Sequence, residues 1–390
     1  MKTSPLRKLA AFCILAVGAG ILIFAVSTSS AGQRDFISYW AAGKQLIHGA
    51  NPYDGPAILA LERTAGLEGD RPLLMRNPPI ALFLSLPLGF VGARAGMIVW
   101  MLLLMASLMA SVRMIWILFG RRADRLHLLS YCFAPVLACL MAGQVGLFLL
   151  LGIALFFYLH QSKPVLAGAA LLLCAIKPHL FLPFVLVLLA WILTRRAYRI
   201  LAGATVALLA SSALSLYFDP QAFSQYLHMM QTGGVEQEFI PTLSVVFRII
   251  IDRNSMWPQF IPTVACSSWA LSYFWTRRKR WNWLNQGLLI LIVSVACAPY
   301  AWFSDEAALL PAVLAALYRA EDSGRPIWPF GIIAGVSLLE VISGVRMTTG
   351  FYIWTVPAWL IWYLYAAAGH RAEPVGSESG EKIAAQQASQ

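Results

Sequence analysis

Charge is what this sequence has least of. Of its 390 residues only 12% are Asp, Glu, Lys or Arg, while 59% are hydrophobic. Soluble domains carry about twice that charged fraction. The chain also lacks a phosphate-binding glycine loop, a dinucleotide fingerprint, a GxSxG nucleophile turn and any His/Cys cluster at metal-ligand spacing. These absences exclude P-loop, Rossmann-type and metallohydrolase chemistry of the motif-bearing kind, and no metal or cofactor is expected. No polar stretch is large enough to form a soluble nucleotide-sugar domain, so a sugar donor would have to come from the membrane.

What is present is a succession of apolar runs separated by short charged knots. In lipid the backbone has no hydrogen-bond partner but itself, so such a chain is read as an all-α polytopic membrane protein. The six cysteines all fall inside apolar runs and form no CxxC pair, which predicts buried free thiols. The formal net charge of +11 reports positive loops on the cytoplasmic side, not nucleic acid.

The strongest basic knots are Lys2/Arg7/Lys8, Arg121-Arg122 with Arg125, Arg195-Arg196 with Arg199, and Arg277 to Arg280. Placing all four in the cytoplasm gives spans near 9–29, 93–119, 127–142, 144–160, 164–178, 180–194, 200–217, 257–276, 283–300, 305–319, 327–344 and 350–368. That is a bundle of about twelve crossings with both termini cytoplasmic. Residues 1–370 form the transmembrane domain, 33–92 its first external loop, and 371–390 a polar, disordered cytoplasmic tail. The first span is alternatively a cleavable signal ending at Ser29-Ser30-Ala31.

Within the first external loop, Phe36, Tyr39, Trp40, Gly43, Leu46 and Ile47 recur at helical spacing, opposite Ser38, Lys44, Gln45 and His48. The pattern predicts an amphipathic helix in the membrane interface, stopped by Gly49 and Pro52. Asn77–Val91 opens with Pro-Pro, contains Pro87 and is short, so it is read as a re-entrant or interfacial helix.

In this topology the unusual polar residues collect on the external side: Asp35, His48, Asn51, Asp54, Arg76, Asn77, Gln144, Lys177, His179, Asp305 and Arg346. Ionisable groups near a membrane are costly unless paired or hydrated, so they mark function. Each also has a plain structural reading. Asp35 is an N-cap or a reactive acid. Lys177 snorkels or faces a phosphate. Gly143-Gln144 closes a helical hairpin or places an amide at a site, and Asp305 and Glu306 are first-turn acids or site carboxylates. Arg248 needs an anionic partner, with Asp252 four residues on as the candidate.

The blocks "RDFISYWAAGKQLIHGANPYD", "NPPIALFLSLPLGF", "GQVGLFLLLGIALFF", "KPVLAGAALLLCAIKPHLFLPFVLVLL" and "APYAWFSDEAALLPAVL" occur in this order over about residues 33–317. Together they resemble glycosyltransferase family 87, membrane enzymes of the GT-C class. The resemblance implies transfer of a hexose, most commonly mannose, from a polyprenyl-phosphate donor to a lipid or glycan acceptor on the extracytoplasmic face, with inversion. It further implies that the acid just after the first span, here Asp35, is the catalytic base. Arg34 precedes it, and Tyr39-Trp40 stands where relatives carry a tyrosine pair. Trp302-Phe303-Ser304-Asp305 occupies the place of an SWDH-like run. Lys177, His179, Arg248, Arg346 and Arg76 are the candidates to hold the donor phosphate. Tyr39, His48, Asn51, Tyr53, Gln144 and Asp305 are the candidates to touch sugar or acceptor. The competing function is a carrier or flippase for a lipid-linked glycan, which would place polar residues at mid-span and on both faces.

Overall fold

The computed structural model describes residues 35–232, 240, 242–345 and 350–368. The first span, Arg34, Arg346, Cys13 and the tail lie outside them. All regular elements among the described residues are helical, with no strand.

The chain begins with α1 (Phe36–Ile47) and α2 (Gly55–Thr64), then a 3-10 turn at Pro79–Ala81 running into α3 (Leu82–Gly89). α4 (Ala93–Leu118) is followed by α5 (Ala134–Ala142) and α6 (Gly146–Leu159), and then by the short α7 (Pro164–Ala170) and α8 (Leu172–Ala175). After a 3-10 turn at Pro178–Leu180 come α9 (Leu182–Arg195), α10 (Tyr198–Phe218), α11 (Ala222–Thr232), α12 (Leu243–Ile251) and α13 (Phe260–Arg277). A π-helical turn at Trp283–Gly287 leads into α14 (Leu288–Ala296), and a 3-10 turn at Phe303–Leu309 into α15 (Leu310–Asp322). α16 (Trp328–Ile342) and α17 (Thr355–Ala367) complete the described fold.

α4 and α10 are long and apolar enough to cross a bilayer. Seven further apolar helices have 10–17 residues, short of the roughly 20 that a straight crossing needs. Both long helices leave large apolar side chains uncovered, Leu102 and Leu103 on α4 and Val206 and Leu209 on α10. Such faces suit a lipid surround, where an exposed Leu costs nothing.

Two close approaches set the packing. Gly43 on α1 faces the Ser85 carbonyl, and Gly89 on α3 faces the Gly43 carbonyl. Gly168 on α7 and Gly203 on α10 likewise meet the carbonyls of Ile200 and Val165. A Cβ at any of the four would collide with backbone, so small residues let these helix pairs touch.

The helix directions give the molecule two chemically different ends. α6 starts at the Gln144 turn, α9 just after Lys177 and α15 just after Asp305; α9 and α15 finish at Arg195 and Asp322. At the second end Arg122 is paired with Asp124, Glu321 and Asp322, and Arg195 donates to the carbonyls of Arg278 and Lys279. Three of the basic knots therefore gather opposite the polar breaks. A cavity of about 280 Å³ at that second end is lined by Arg122, Asn282, Asn285, Tyr318, Arg319 and Asp322, among others.

Two expectations need correction. α1 does not lie exposed in an interface: Phe36 through Gly43 are all buried, and only its last turn reaches the surface. Phe36 and Tyr39 pack on Trp100 of α4, and Trp40 donates its indole N–H to the Val91 carbonyl at 2.9 Å. The neighbouring Asn77–Val91 segment, read as re-entrant or interfacial, is a 3-10 turn and a two-turn helix packed on protein. Ser211 and Ser215 of α10 donate to the carbonyls of Ile80 and Pro79 at 2.6 Å each, which ties this turn to α10. Finally, the described cysteines are free, but Cys132 is exposed and Cys266 half-buried.

Candidate active site

Asp35 immediately precedes α1 with helical backbone angles, and its side chain makes no capping bond. The capping role is thereby excluded in this structure. Ser38 instead turns back, its hydroxyl and N–H both donating to the Asp35 carbonyl. The carboxylate is thus released for a contact across the fold: Gln144 Nε2 donates to Asp35 Oδ2 at 2.6 Å. Among the described residues Oδ1 accepts no hydrogen bond, and Asp35 keeps part of its surface open. Burial raises the Asp35 pKa above the usual carboxylate range, opposed by the Gln144 hydrogen bond and then by the charge of Lys177.

Gln144 is positioned by its own loop. Gly143 ends α5 in the left-handed region at φ +71°, and the Gln144 N–H returns to the Cys139 carbonyl at 3.0 Å. A Cβ on Gly143 would also press on Phe36, so glycine is required there twice over. Trp100 Nε1 fixes the turn from α4 by donating to the Gly143 carbonyl at 2.8 Å. The Gln144 amide then bridges two groups, because its Oε1 accepts from the Tyr39 hydroxyl at 3.2 Å.

The second half of the cluster is an ion pair. Lys177 Nζ lies 2.7 Å from Asp305 Oδ1, with side-chain exposures of 10% and 0%, so the pair is desolvated. Asp305 Oδ2 accepts the Trp302 N–H at 3.1 Å, the helix-start role for an acid at this position. Asp305 is thus a first-turn acid that also pairs with Lys177. Lys177 is buried, neither snorkelling nor presented to solvent. Its charge reaches Asp35, which joins the two halves into one site.

Arg76 and His179 border this cluster. The His179 ring lies 3.9 Å from that of Tyr300, and Tyr300 is within electrostatic range of both Arg76 and Asp305. Tyr53 serves from behind: its hydroxyl donates to the Asn77 carbonyl at 3.1 Å, and Asn77 Nδ2 donates to the Ile176 carbonyl at 3.0 Å. That chain pins the backbone beside Lys177.

Other expected residues are not brought here. His48 is exposed, with Nδ1 against the Lys44 carbonyl, and sits a twelve-residue helix away from Asp35, about 18 Å at 1.5 Å per residue. Asn51 accepts the Tyr53 N–H within its own turn. Arg248 is buried and donates to the Arg253 carbonyl and to Gln259 Oε1. Gln259 in turn donates to the Pro299 carbonyl, so Arg248 supports the strand of chain leading to Tyr300. Asp252 accepts from Asn254 and Ser255 and feels the Arg248 charge from the helix end. Sequence reasoning gave no role to Trp100 and marked Asn77 only as an unusual external polar residue; the partners of both are backbone carbonyls that leave no trace in residue type.

No curated protein and no solved structure matches the chain. The model of glycosyltransferase family 87 matches residues 76–320, a stretch that contains Gln144, Lys177 and Asp305 and begins after Asp35. That match covers more than half of the chain, and with it the chain belongs to glycosyltransferase family 87: it is a membrane glycosyltransferase.

Proposed function

We propose that the protein transfers a hexose, with mannose the first candidate, from a polyprenyl-phosphate donor to a glycolipid or glycan acceptor. The reaction takes place at the Asp35 end of a GT-C-like bundle of about twelve crossings, facing the extracytoplasmic side of the plasma membrane. The observation that carries this reading is the Asp35 carboxylate, one oxygen held by Gln144 and the other accepting no hydrogen bond among the described residues, with the charge of a buried lysine reaching it.

In this reaction Asp35 Oδ1 takes the proton of an acceptor hydroxyl as that oxygen attacks the anomeric carbon. The new C–O bond forms opposite the bond that breaks, so configuration inverts. The electron pair of the broken bond leaves with the polyprenyl phosphate, and Asp35 returns its proton to water. Burial serves the step by raising the proton affinity of the carboxylate toward that of an effective base. The negative charge growing on the phosphate requires fixed cations. Lys177 is the nearest candidate, by turning from Asp305 to the phosphate, with Arg76 and His179 bordering it.

The test is Asp35→Asn in membranes supplied with polyprenyl-phosphate mannose and total envelope lipid. Transfer should fall at least a hundredfold, the scale of a general-base contribution, while donor lipid still co-purifies. Full transfer by the variant would refute the base assignment.

A further inference from the structure

Gln144 is set apart from the other polar residues of the site because both ends of its amide are engaged and neither partner is near in sequence. Nε2 meets Asp35 Oδ2 at 2.6 Å, and Oε1 meets the Tyr39 hydroxyl at 3.2 Å. A carboxylate only accepts, so it fixes which way the amide points. Oε1 is then left to the phenol, which must donate. The loop beneath is rigid, held by Gly143, Trp100 and the return bond to Cys139. We propose that Gln144 is a positioning residue for Asp35. It locks the carboxylate so that Oδ1 alone faces the acceptor and keeps it ionised until the proton arrives; Tyr39 locks Gln144 in turn.

The proposal rests on Asp35 as the base and removes Gln144 and Tyr39 from the set expected to touch sugar. Among the described residues, the charged and titratable groups facing Asp35 are Lys177, from the turn before α9, and the Tyr39 phenol of α1. Asp305 and Cys139 stand around Lys177 and Tyr39. Of these, Lys177 and the Gln144 amide favour the charged carboxylate, against burial. Loss of the amide therefore moves the titration of Asp35 upward.

The experiment uses the full chain in lipid nanodiscs. Infrared pH titration reads the carboxyl band that disappears in Asp35→Asn, in the wild type, Gln144→Leu and Tyr39→Phe. Transfer from polyprenyl-phosphate mannose is measured in parallel. Gln144→Leu should raise the titration midpoint, shift the acid limb of the kcat profile the same way, and lower kcat about tenfold, one charged hydrogen bond's worth, with KM little changed. Tyr39→Phe should shift both in the same direction by less, and it carries the test if Gln144→Leu does not fold. An unmoved midpoint, or a raised KM with kcat and the acid limb unchanged, would overturn the positioning role and make Gln144 a substrate contact. Asp35→Asn with full transfer would instead overturn the base reading, whatever Gln144 does.

Discussion

The Lys177–Asp305 pair allows a stability effect to be separated from a functional one. Both side chains are desolvated and 2.7 Å apart, so removing one partner leaves a bare charge in a place with little water. Breaking such a pair costs about 3–5 kcal/mol, whereas replacing both partners with apolar groups is often neutral or stabilising. Asp305→Ala also strips the Trp302 N–H of its acceptor, adding about 1 kcal/mol. Asp305→Asn keeps that acceptor and removes only the charge. The expected order of stability is thus the wild type, then Lys177→Met/Asp305→Leu about 1 kcal/mol below it for the same lost acceptor, then Asp305→Asn, then Asp305→Ala. Chemical unfolding in nanodiscs reads this order, with glycosyl transfer measured on the same preparations. The double variant should fold and transfer no sugar, because the cation for the leaving phosphate is gone. If Asp305→Ala were within about 0.5 kcal/mol of wild type, an ordinary surface value, the pair would not be a buried one. If the double variant transferred at the wild-type rate, Lys177 would be a structural lysine and the phosphate role would fall.

Glu62 on α2 is buried and accepts the Leu73 N–H at 3.0 Å; burial pushes its pKa up to about 7. A carboxyl raised in the folded state stabilises it fully at acid pH and loses that contribution as pH rises through about 7. Hydrogen exchange at residues 67–73 should therefore speed up beyond the intrinsic pH effect as pH rises from the ordinary value of 4.5 to about 7, and Glu62→Gln should abolish the excess; a wild type without it would refute the argument. Gly203→Ala should cost about 1–3 kcal/mol by driving a methyl into the Val165 carbonyl, lowering the thermal midpoint. Gly331→Ala on α16, where a Cβ meets nothing, should be neutral or stabilising by up to about 1 kcal/mol.

Much of the helical layout was legible because its signals are local. Gly143 and the proline of Lys177-Pro178-His179 mark two of the breaks, and the basic knots mark one end of the molecule. The burial of α1 was not legible. Phe36, Tyr39 and Trp40 at helical spacing look the same whether the greasy partner is a bilayer or Trp100, and only the Gly43–Gly89 approach decides for protein. Arg248 was flagged by cost alone, and cost does not tell a site cation from one that buttresses a turn. Asp35, Gln144, Lys177 and Asp305 each stood out as polar residues at apolar ends. Their pairings join residues 109 and 128 positions apart, and no spacing rule reaches that far.

Those pairings also explain why the site holds two aspartates and why they are not equivalent. Environments that differ assign different roles to the same side chain. Asp305 has both oxygens engaged, one by an ammonium and one by a backbone N–H, so an approaching hydroxyl meets a charge that is already matched. Asp35 has one oxygen committed, to a neutral amide, and the other unoccupied among the described residues. Its neighbour orients it without neutralising it. A base needs that combination, since a direct ion pair at Asp35 would compete with the proton it has to take. Lys177, bound to one aspartate and within range of the other, then serves both: it balances Asp305 at rest and, once drawn to the leaving phosphate, would leave Asp305 to hold the helix start alone. Exchanging the two environments by Gln144→Lys should therefore leave a folded protein whose Asp35 titrates lower and whose transfer is slow at neutral pH. A variant as active as the wild type would show that the neutrality of Gln144 is incidental.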